Sequence, residues 1–121
     1  MHPFVMALVS VAMSVAAQFL LKAGMSQPST QAALAGGMSP QGLWTVMTQP
    51  YVLGGFCLYG LGAVVWLSVL SAWDVSKAYP LVGVGFAFTA LIGFMLGEQV
   101  TLTRVAGVLL VCAGVALVAR T

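Results

Sequence analysis

Phe4–Lys22 reads FVMALVSVAMSVAAQFLLK. As a helix, this run is long enough to cross the ~30 Å hydrocarbon core of a bilayer. Ser10, Ser14, Gln18 and Lys22 recur in it at every fourth position, and every other residue of the run is apolar. Residues four apart stack on one helical face, so these side chains form a single polar stripe. A polar stripe ending in an ammonium, inside a membrane-spanning helix, marks a candidate ligand site.

The composition points the same way. The chain has 121 residues, 61% of them hydrophobic and only 5% charged. A soluble domain carries charge on about a quarter of its residues, so water cannot be the main solvent here. The expectation is an all-α membrane protein. Continuous apolar runs without in/out alternation argue against a β-barrel. A net charge of +2 is too small to imply nucleic acid. Cys57 and Cys112 fall inside predicted spans and read as small buried apolar residues, not as a disulfide or a metal pair. No metal and no other cofactor is expected. Nor is a cleavable leader: no Lys/Arg-rich start is present, and Lys22 stands where a small-residue cleavage site belongs.

Taken in order, the chain reads as a single four-helix transmembrane domain over 1–121, with spans at about 4–23, 51–73, 76–96 and 103–119. Gly24 is expected to end the first span, with Pro28 as a second stop. Residues 25–50 form an uncharged, turn-rich loop. Within it Ser39-Pro40 resembles an N-cap followed by proline at the first helical position. Leu43, Trp44, Val46 and Met47 then make either a short interfacial helix or an irregular loop. In the second span Gly55, Tyr59, Gly62 and Trp66 share a face whose small residues let another backbone approach. Asp74 can cap the next helix. Pro80, Gly83 and Gly85 mark a kink, and the hinge that alternating access requires. Gly85, Thr89, Gly93 and Gly97 repeat at small-xxx-small spacing. Gly107 and Gly114 share a face of the fourth span and suggest contact with a second subunit. Four spans put both termini on one side, with Lys77 and Arg120. Lys22 and Arg104 fall on the other. This near-tie permits insertion in either orientation, and so an antiparallel dimer.

Ala78-Tyr79-Pro80-Leu81 resembles the AYPL start of the third helix in EamA-like drug/metabolite transporters. Leu96-Gly97-Glu98 resembles the LGE that closes it. Residues 107–115, GVLLVCAGV, are similar to the fourth-helix dimerisation motif of small multidrug resistance transporters. Small drug exporters carry a glutamate in the first helix, and this chain has no acid there. Its Ala17-Gln18 and Lys22 instead resemble the AQ-x-x-x-K first helix of the four-helix flippase subunits for undecaprenyl-phosphate aminoarabinose. The long first loop and Ser76-Lys77-Ala78-Tyr79-Pro80 also look like that branch. The resemblance implies a dimeric bundle of the small multidrug resistance/EamA type in the bacterial inner membrane. It also implies a polyprenyl-phosphate glycolipid substrate, and pairing as a homodimer or with a similar second chain.

The candidate substrate-binding residues are Lys22, Gln18, Ser14, Tyr79, Trp66 and Glu98. Lys22 would meet the lipid phosphate, with Gln18, Ser14 and Ser10 as neutral partners one turn apart. The plainer alternatives stand beside these roles. Lys22 can be an interfacial anchor. Ser10 and Ser14 can bond back to their own helix or pack as small residues. Tyr79 and Trp66 can be packing aromatics instead of platforms for a sugar ring. Glu98 either orients a sugar amine or a gate, or is a loop charge pairing weakly with Arg104. His2 reads as a solvated terminal residue. The rival functions are a proton-coupled exporter of small cations, motivated by size and the fourth-helix motif, and a non-transporting membrane partner of another protein.

Overall fold

The structure, a computed structural model, describes residues 2–121. Its elements are α1 (Pro3–Met25), α2 (Pro28–Leu34), α3 (Pro40–Thr48), α4 (Pro50–Ala72) and α5 (Val75–Ala78), a 3-10 segment (Tyr79–Gly83), α6 (Val84–Met95) and α7 (Leu102–Ala119). No strand occurs among the described residues. Four helical runs are long and apolar enough to cross a membrane: Pro3–Met25, Pro50–Ala72, Val75–Met95 and Leu102–Ala119. The protein is an all-α, multi-pass membrane protein.

Two compact units divide the chain. One takes in the residues up to Val15 together with Gly62–Thr121; the other is Ala16–Leu61. In the first, Ala7, Val69, Ala78, Leu81 and Val115 form a buried apolar cluster. Met6, Trp66, Leu70, Trp73, Val84 and Val111 pack around it. α1 and α4 approach closely at Gly62. A methyl there would lie 3.4 Å from the Ser10 carbonyl oxygen and 3.3 Å from Met13 Cβ. In the second unit Gly55 plays the same part, with a methyl 3.1 Å from the Ala17 carbonyl oxygen and 2.8 Å from Leu21. Both glycines lie on the face that the sequence assigns to backbone approach.

Local chemistry explains where the elements begin and end, and corrects several expectations. Gly24 does not end α1, which runs on to Met25. It is buried, with Val52 and Gln49 too near to admit a Cβ, so its place is a packing site. α1 ends before Pro28, which also opens α2, a helix the sequence reading lacks, because proline at the first helical position has no N–H to leave unpaired. Ser39 caps α3 as its type suggests, its Oγ accepting from Gly42 N at 3.0 Å. Gln49 serves α4 the same way, its Oε1 accepting from Tyr51 N at 2.6 Å and Val52 N at 3.1 Å. Asp74 precedes α5 but its carboxylate makes no cap bond. Its main-chain carbonyl does the bonding, accepting from Ala78 N at 2.9 Å.

The kink expected near Pro80 takes the form of the 3-10 segment between α5 and α6. α6 ends in a Schellman turn. Gly97, at φ +90°, sends its N–H to Phe94 O at 3.2 Å, and Glu98 N–H reaches Gly93 O at 2.8 Å. Only glycine adopts that φ without strain. Cys57, expected buried, is exposed, and Cys112 is half-buried; both are free thiols.

Candidate functional site

The polar stripe of α1 divides into two halves with different fates. Ser10 is buried, and its Oγ donates to the Gly62 carbonyl of α4 at 2.7 Å. It does not bond back to its own helix, because the close approach at Gly62 brings a foreign carbonyl within reach. Ser14 is half-buried, with its Oγ 3.6 Å from the position a Cβ at Gly62 would take. Gln18 and Lys22 are exposed, and within their own unit no hydrogen bond holds either side chain. The Lys22 carbonyl accepts from Ser26 N at 3.0 Å and from Ser26 Oγ at 2.8 Å, which closes the end of α1 beneath the ammonium. An exposed amide and ammonium on a spanning helix require water, a ligand or another chain, since hydrocarbon offers no partner.

Glu98 is held by the Schellman turn. Its Oε1 lies 3.0 Å from where a Cβ at Gly93 would stand, so the carboxylate rests against the bare backbone of α6. That places a negative charge at the negative end of a helix, a place the helix dipole does not favour. A cationic group brought there meets two attractive sources at once. Arg104 does not neutralise Glu98: its guanidinium donates to the Gln99 carbonyl at 2.7 Å, and no ion pair forms among the described residues.

Trp66 packs half-buried against the apolar cluster of its unit. Tyr79 stands outward, 65% exposed, at the start of the 3-10 segment. Pro80 follows it. Gly83 and Gly85 are buried, the first against Val111 and Val115 of α7, the second against Val11 and Val15 of α1. Gly107 and Gly114 are exposed, with nothing near the position of a Cβ. His2 is exposed, as its terminal place suggests, but it has a neighbour the sequence did not point to. Its ring meets Trp73 edge-on at 6.5 Å and 81°, and its Nδ1 accepts from Phe4 N at 3.1 Å. No local signal marks this pair, because Trp73 is far along the chain.

Comparison with known proteins gives a consistent set of relatives. A probable 4-amino-4-deoxy-L-arabinose-phosphoundecaprenol flippase subunit ArnF of Photorhabdus laumondii is 31% identical over 125 residues, covering 99% of this chain and 98% of the relative. The ArnF counterpart of Sodalis glossinidius is 32% identical over 117 residues, 93% of this chain and 86% of the relative. A probable ArnE subunit of Pseudomonas paraeruginosa is 40% identical over 62 residues, a stretch that spans 50% of this chain and only 54% of that relative. No family model matches the chain. No solved structure is significantly similar to it.

Proposed function

The chain belongs to the family of small aminoarabinose-phosphoundecaprenol flippase subunits that includes ArnE and ArnF, and we propose that it is one subunit of an inner-membrane flippase for a polyprenyl-phosphate-linked amino sugar. The observation that supports this most is the open half of the α1 stripe. Lys22 and Gln18 are exposed one turn apart, in a helix that holds no acid. The ammonium receives the lipid phosphate as it leaves water, and the Gln18 amide and Ser14 hydroxyl supply neutral partners deeper along the helix. Placing lysine at the bilayer centre costs roughly 2.5–3.5 kcal/mol on insertion scales. Near the end of α1 the long side chain reaches the interface and the cost falls.

The substrate also presents an amine, which Glu98 takes, and the exposed Tyr79 offers a flat surface to a sugar ring. Trp66 supports the site through packing or as a second platform. The 3-10 segment with Pro80, Gly83 and Gly85 is the bend about which access alternates. A partner of the same kind, identical or similar, packs on α7 at Gly107 and Gly114, where two open glycines let backbones approach.

Mass spectrometry of lipids retained by gently purified protein tests this reading. The expected result is an undecaprenyl-phosphate species held by the native chain and lost from Lys22→Met. Retention of ordinary phospholipids alone would overturn it.

A further inference from the structure

Trp73, Lys77 and His2 form a cluster that the site above does not use. The Lys77 Nζ sits 4.5 Å from the centroid of the Trp73 ring. The indole also packs against the buried apolar cluster, and the His2 ring lies 6.5 Å from it in a T-shaped arrangement. The ammonium is therefore held in place before any ligand arrives, which lowers the ordering cost of binding. Its charge is not neutralised. Asp74 is less than one turn back, yet among the described residues no carboxylate lies within ion-pair distance of Lys77. A ring face attracts a cation but accepts few of its N–H groups. The remaining donors point to an anionic oxygen acceptor.

Position supplies the ligand class. Lys77 belongs to the membrane face of the chain termini, opposite the face of Lys22. A carrier that takes a phosphate ester from one leaflet must release it at the other. From these facts we infer that Lys77, positioned by Trp73, is a second phosphate-ester headgroup site, at the face opposite Lys22. This inference rests on the flippase reading. Neither ammonium is in an ion pair among the described residues, so the load is met on arrival and not trapped at departure. Trp73 is a positioning residue: it touches Lys77, not the phosphate.

The chain has two lysines, Lys22 and Lys77, so lysine labelled with 13C at Cε reports each site separately. Lys77→Arg assigns the signals, and the indole ring current sets Lys77 upfield of Lys22. The probe is farnesyl phosphate, added to the full chain in phosphatidylcholine nanodiscs. Both signals should move on addition, with half-saturation within about tenfold of each other, the span of one charge-assisted hydrogen bond. Trp73→Leu should weaken the Lys77 response about threefold, and Trp73→Phe should restore most of it, because any aromatic face holds the ammonium. A moving Lys22 with a stationary Lys77 overturns this inference and leaves the flippase reading intact. Two stationary signals overturn both. An equal Lys77 movement with inorganic phosphate, or on exchanging phosphatidylcholine for phosphatidylglycerol, marks a general anion site or a lipid anchor and overturns the inference.

Discussion

The two halves of α1 carry the same polar stripe and use it in opposite ways. Toward the N-terminus Ser10 is buried and spends its hydroxyl on the Gly62 carbonyl, with Ser14 beside it. Toward the C-terminus Gln18 and Lys22 are exposed. The difference lies in the groups themselves. A serine hydroxyl is small enough to sit beneath an approaching backbone and satisfy itself there. A glutamine amide and a lysine ammonium are longer and carry more donors, so a glycine contact cannot absorb them. Helical spacing draws one continuous stripe; side-chain chemistry cuts it into a packed segment and an open one.

Five substitutions break or sharpen this contrast. Lys22→Met should weaken farnesyl phosphate binding tenfold or more, about the loss of one charge-assisted hydrogen bond. Ser14→Ala should change that binding by less than about twofold, the scale of a weak neutral contact. Titration of the two variants in nanodiscs compares them directly, and the reverse order would break the contrast. Gly55→Val should destabilise the fold by about 1–3 kcal/mol, since the added methyls meet the Ala17 carbonyl and Leu21. Thermal unfolding in detergent would register it as a clear drop in Tm. Ser10→Ala should cost about 0.5–1 kcal/mol, the worth of a hydroxyl bond between membrane helices, and leave phosphate binding as it was. Gly60→Ala should be neutral or stabilising by less than about 1 kcal/mol, because nothing lies near its Cβ position and alanine favours the helix. A large loss there would mean that α4 is covered on that side.

Much of this was legible in the sequence, for reasons that particular residues make plain. The spans follow from run length, and the two crossings at Gly55 and Gly62 follow from small residues on one face. Leu96-Gly97-Glu98 reads as the close of the third span, and Gly97 takes there a φ that glycine adopts without strain. What escaped was non-local or ambiguous. The Ser10 acceptor lies 52 residues away, and no spacing rule connects them. Pro28 ends one helix or begins the next with equal right, and Pro28–Leu34 uses the second option. Asp74 is a competent cap by type, but the backbone around it directs the bond to its carbonyl instead. His2 lies about 70 residues from Trp73 and Lys77, and only the fold brings it to them. Ser14, Gln18 and Lys22 were visible as a stripe, but which of them would be covered depended on where α4 crosses.

Cysteine accessibility tests the open half most directly. In a chain with Cys57 and Cys112 replaced by serine, Gln18→Cys and Ser10→Cys are made separately and reconstituted in liposomes. Gln18→Cys should react with a membrane-impermeant thiol reagent and be protected by farnesyl phosphate, while Ser10→Cys stays unlabelled. A Gln18→Cys that never reacts, or reacts without protection, would contradict the account.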